Sequence, residues 1–148
     1  MQWSNNNSLK LSKISLWVFG VCLGIACAAA PWYGLLCKYI FGRTVPTLRY
    51  TLIVLFFAIP AYIAVHFLYK LLTNIEKEQV FTDENIRCLR IISWCCFAGA
   101  AVFFAGAFKA VSCILLCALA AFIGIILRVI KNVFERAVAL QNENDLTI

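Results

Sequence analysis

Eight cysteines and a single histidine are the residues of this 148-residue chain best suited to chemistry. The thiols point to redox or metal work and the imidazole to proton transfer or haem ligation. Their spacing argues against these uses. No C-x-x-C occurs, and Cys22, Cys27, Cys95, Cys96, Cys113 and Cys117 lie in strongly apolar sequence, where a thiolate or a divalent ion is costly. A membrane thiol oxidase needs cysteine pairs at the outer face, and only Cys37 is well placed there. His66, four positions before Lys70, stays a candidate intramembrane polar site, but haem ligation would need a second ligand from a dimer, a Cys or a Tyr. Asp83 and Glu84 are adjacent, so a helix points them about 100° apart and they form no acid/base pair. With no phosphate loop, nucleophile elbow or zinc spacing, the sequence predicts no enzyme, no cofactor and no metal.

The elements that would carry these residues are membrane helices. Hydrophobic residues make up 64% of the chain and mean hydropathy is +0.89, against roughly 45–50% apolar usage in soluble domains. Residues 14–37, 50–69, 91–108 and 110–127 contain no Lys, Arg, Asp or Glu. Each approaches or exceeds the roughly 18–20 residues that cross a ~30 Å hydrocarbon core as a helix. The fold expected is therefore an all-α, integral membrane four-helix bundle, with spans near 14–41, 49–72, 86–108 and 110–130. Residues 73–90 form a hairpin and 131–148 a helix extension and tail. The first span resembles a signal peptide, but Pro31 follows the candidate cleavage site and three more spans come after, which favours a retained anchor. Pro31 either ends that span or kinks a longer helix, and the kink is preferred.

Basic residues set the topology. With the N-terminus inside, Lys10, Lys13, Lys70, Lys77, Arg87, Arg90, Arg128, Lys131 and Arg136 are cytoplasmic, and Lys38, Arg43, Arg49 and Lys109 are outside. All seven acids share the inner side, so both termini are expected in the cytoplasm of a multi-pass protein of a bacterial cytoplasmic membrane. The formal net charge of +6 is ordinary for such a protein and gives no reason to invoke direct nucleic-acid binding.

The polar information concentrates in two places on that inner face. In NIEKEQVFTDENIRCLRIIS (residues 74–93), Thr82 has the N-cap residue type, and Asp83 and Glu84 fill the first turn, where the helix dipole favours anions. Phe81 and Ile86 stand at hydrophobic-staple spacing. The helix thus starts near Asp83, with Arg87 and Arg90 on its next turns, as a charged stub beyond the membrane. Past Arg128 a helical period continues to about Gln141 and is followed by the tail NENDLTI. Elsewhere, small residues at helical spacing (Gly20, Gly24, Ala28; Cys95, Gly99; Cys113, Cys117, Ala121 beside Gly124) predict close helix packing. The Gly20/Gly24 pair suits either an internal contact or a homodimer.

The hairpin stretch and VFERAVALQNENDLTI (residues 133–148) together resemble the YoaS-like family, a domain of unknown function in small four-helix bacterial membrane proteins. Phe81-Thr82, Glu84-Asn85, Leu89-Arg90 and the terminal ENDLTI carry the resemblance most specifically. The family tends to have a glycine where this chain has Glu78, which implies a less abrupt turn here. The resemblance also implies a regulatory pairing, because members are often encoded beside a small helix-turn-helix regulator.

These observations lead to a non-enzymatic regulatory membrane protein. Phe81, Thr82, Glu84, Asn85, Arg87 and Arg90, with Asn144, Asp145, Leu146 and Thr147, are expected to dock a cytoplasmic partner in response to a membrane or apolar signal. The competing readings are a small transporter, efflux or lipid-binding protein, a thiol or haem redox protein, and a hairpin that is only a solvated connection.

Overall fold

Inside a bilayer the backbone has only itself to bond to, so long apolar runs must coil into helices. The computed structural model describes residues 2–41, 47–77, 80–107 and 111–146. Glu78, Lys109 and Thr147 lie outside the described residues. Helix α1 (Gln2–Ala29) passes through a 3-10 turn (Ala30–Trp32) into α2 (Tyr33–Phe41), and α3 (Thr47–Glu76), α4 (Asp83–Ala107) and α5 (Val111–Leu146) follow. The protein is all-α, and α1, α3, α4 and α5 supply four segments long and apolar enough to cross a membrane.

Proline explains the one local irregularity near the start. Pro31 has no N–H to donate to the preceding turn, and the backbone tightens there. It stays right-handed helical on both sides, with Ala29 at φ −79°, ψ −18° and Tyr33 at φ −58°, ψ −37°. Pro31 therefore narrows the helix without stopping it. Helix α5 departs from expectation at its far end. It continues to Leu146, where the sequence predicts an end near Gln141, so Asn142, Glu143 and Asn144 are helical rather than a loose tail. The physical reason is that neither glycine nor proline follows Gly124 to break the ladder.

The helices lie in the order α1, α3, α4, α5, each packing chiefly on its neighbours in that row. Helix α4 is the centre of the molecule. A third of its span is buried within the protein, against 6% of the spans of α1 and α5. Small residues make these contacts close. The Gly20/Gly24 face of α1 meets α3: Val65 lies against Gly20, and the Tyr62 hydroxyl lies 3.0 Å from where a Cβ on Gly24 would stand. That hydroxyl donates to the Gly20 carbonyl at 3.3 Å. Phe57 of α3 fills the space over Gly99 and rests 4.7 Å, centroid to centroid, from Phe103. At Gly124 of α5 a Cβ would come within 3.2 Å of the Phe97 ring and 3.3 Å of Cys96 Cβ. The cysteine at this seam is a packing residue. The apolar core itself sits toward the hairpin, where Leu71, Cys88 and Leu89 are buried against Phe67, Leu127 and Phe134.

Because Cys96 offers its stiff Cβ to Gly124, the α4–α5 seam has little room to give. Gly124→Ile is expected to cost about 1–3 kcal/mol by overpacking, and Gly124→Ala less. Thermal unfolding of the three proteins in one detergent checks the order, and an unchanged melting temperature for Gly124→Ile would contradict the packing described.

Candidate functional site

At the hairpin end, α1 begins, α3 turns into α4, and α5 projects. The turn is built from local rules first. Thr82 caps α4: its carbonyl accepts from the Asn85 and Ile86 N–H groups at 3.1 and 3.3 Å, and its hydroxyl lies 3.4 Å from the same Asn85 nitrogen. On the other side, Lys77 N–H donates to the Asn74 carbonyl at 3.1 Å and finishes α3.

A buried amide pair then joins the two helices. Asn74 Nδ2 donates to Asn85 Oδ1 at 2.9 Å, and Asn85 Nδ2 donates to the Val80 carbonyl at 2.8 Å. Asn74 Nδ2 also lies 3.2 Å from Glu84 Oε2. Asn85 has no exposed surface at all. It is not on the surface, where the sequence reading placed it: its position on the inner face of α4, one turn before Cys88 and Leu89, turns its amide into the seam.

Charges frame this pair. Lys70 bonds Glu84 at 2.7 Å between α3 and α4, and Arg90 bonds Glu135 at 3.0 Å between α4 and α5. Lys131 joins Glu135 at 2.9 Å, and Lys13 of α1 pairs with Glu76 of α3. Each of the three helix seams therefore has an ion pair at this end. Glu84 and Glu135 lie beyond the charge-free stretches. A hydrogen bond from Lys70 holds the Glu84 carboxyl below its ordinary range, and one from Lys131 does the same for Glu135. Such exposed pairs contribute little energy, but their geometry matches helix faces to one another.

The other expected site residues are spread over the hairpin, α5 and α3. Phe81 is half exposed on the loop, its ring tilted 45° against that of Phe134 of α5 at 5.4 Å between centroids, so it bridges the hairpin to the projecting helix. Thr82 is partly covered by its capping role, while Arg87 is exposed. Asn144 is exposed on the last turn of α5. Asp145 and Leu146 belong to that turn, their side chains outside the described residues, as is Thr147. His66 lies apart, edge-on to Phe67 at 5.5 Å, in a shallow groove of about 270 Å³ with Trp17, Tyr62 and Tyr69 between α1 and α3.

Sequence reasoning missed Asn74, Phe134 and Glu135. A signal for Asn74 existed: it is three residues after Leu71, on the apolar face of α3, where an amide must find a buried partner.

The model of a family described as "Protein of unknown function (DUF2975)" matches residues 5–148. The chain belongs to this family. No curated protein and no solved structure matches it. What can be said of the hairpin end in this DUF2975 protein therefore rests on its own geometry.

Removing the Asn85 amide leaves the Val80 carbonyl without this donor inside the turn. Asn85→Ala is expected to cost about 1–3 kcal/mol and to raise amide hydrogen exchange across residues 80–86. The double variant Asn74→Ala/Asn85→Ala should lose less than the sum of the singles, since both remove one shared bond. Strict additivity of the two losses would show that the amides do not act together.

Proposed function

We propose that this membrane protein is regulatory and that its hairpin, together with the projecting end of α5, docks a cytoplasmic partner. The observation that carries this reading is the buried Asn74–Asn85 pair. A solvated connection needs no fully buried amide lock, whereas a recognition surface gains from being ordered before its partner arrives. Above the lock, Phe81, Asp83 and Arg87 are exposed together, and Phe81 joins them to α5 through Phe134. The basic residues at this end favour its facing the cytoplasm. The family resemblance adds a helix-turn-helix regulator as the partner, held at a bacterial cytoplasmic membrane.

A signal would have to reach the hairpin from the bilayer. Between α1, α3, α4 and α5 lies an apolar cavity of about 340 Å³, bordered by Phe19, Phe57, Pro60, Cys96, Gly99 and Ala120. An apolar molecule entering there would press on α3 and α4, the two helices that the hairpin joins, and would shift a two-state bundle if it fitted one state better.

The test is a pull-down from the native host with the tagged full chain and a variant lacking residues 142–148. A helix-turn-helix protein is expected in the first eluate and lost from the second, with both proteins equally inserted in the membrane. The reading fails if the regulator stays soluble and fully active whether or not this protein is present.

A further inference from the structure

The hairpin end also contains a cleft of about 600 Å³, which shares Asp83 and Arg87 with the docking surface. It is lined by apolar Phe67, Ile86 and Cys88 together with three bases and three carboxylates. Two carboxylates are engaged, Glu84 by Lys70 and Glu135 by Arg90 and Lys131. Asp83 and Arg87 remain. They stand one helical turn apart, at the spacing that favours an ion pair, yet among the ion pairs of the described residues neither takes part. A carboxylate and a guanidinium outside those ion pairs thus face one cleft.

Position narrows what could complement them. Lys70 directly follows the charge-free stretch 50–69, and Arg90 directly precedes the stretch 91–108. Both line the cleft, so it straddles the level at which the apolar core of the bilayer gives way to headgroups. The apolar lining continues toward the membrane at Phe67.

We infer that this cleft binds the zwitterionic headgroup of an aminophospholipid, with the phosphate on Arg87 and the primary ammonium on Asp83. With Asp83 beside Arg87, a headgroup carrying both signs is favoured over a purely anionic one. The carboxylate selects the primary amine: an ethanolamine ammonium donates hydrogen bonds to Asp83, and a quaternary choline has none to donate. Arg87 supplies a planar fork for the phosphate oxygens. This inference uses two residues of the docking surface but needs no partner protein, and its test is read without one.

Native mass spectrometry of the full chain in detergent, with phosphatidylethanolamine, phosphatidylcholine and phosphatidylglycerol of identical acyl chains, tests it. Phosphatidylethanolamine is expected to remain bound at about tenfold lower concentration than the other two. Asp83→Asn and Arg87→Gln should each remove that preference, and Asp83→Glu should keep it. Arg136→Ala, exposed on α5 outside the cleft, should also keep it, with melting temperatures verifying the fold of every variant. Equal retention of the three lipids, or an ethanolamine preference that survives both Asp83→Asn and Arg87→Gln, would overturn the site. Displacement of the lipid by soluble phosphoethanolamine at similar concentration would overturn the lipid as its source.

Discussion

The hydrogen bond from Asn74 to Asn85 is the constraint on which the polar end of this protein is organised. An amide shut away from water must find partners, and these two find each other across a turn, with the Val80 carbonyl closing the set. That requirement fixes the register of α3 against α4. Once it is fixed, Leu71, Cys88 and Leu89 close into one core, and Lys70 arrives opposite Glu84. A lipid-facing helix has no hydrophobic preference among neighbours, so a polar bond of this kind specifies an arrangement that apolar contact alone would leave degenerate.

Helix α4 owes its central position to the same logic carried along its length. It offers Gly99 to Phe57 on one side and Phe97 to Gly124 on the other, so each neighbour interlocks with a ring placed over a missing side chain. Helix α1 is attached differently, through Tyr62 to the Gly20 carbonyl, Thr51 to the Ala30 carbonyl and Lys13 to Glu76. Its outer face, with Ile14, Trp17, Val18 and Ile25, is left to lipid.

Local features were legible in the sequence and long-range ones were not. The spans follow from the absence of charge over helix-length runs, and the cap at Thr82 needs only a residue type and an offset of three positions. Residue Asn85 read as part of a polar surface because its neighbours Glu84 and Arg87 are polar. Only the rotation of α4 decides that this one side chain points inward. The glycines of α1 announced a close contact without saying with which helix, since a stripe of small residues is equally suited to any neighbour. Within the chain, Tyr62 of α3 meets this face by reaching the Gly20 carbonyl. The persistence of α5 to Leu146 was hidden by polar composition, which suggests a loose end but does not break a helix that meets no glycine or proline.

That persistence turns α5 into a ruler. Its 36 residues measure about 54 Å along the axis, nearly twice the ~30 Å apolar thickness of a bilayer. Contacts at Gly124, Phe134 and Glu135 clamp its stem to the rest of the molecule. Asn144 is seventeen positions beyond Leu127, the last of the charge-free stretch. Measured along the helix, Asn144 therefore stands about 25 Å from the edge of the apolar layer. A flexible tail of the same composition would sweep through many heights. In a continuous helix the height of the final turn follows from residue count.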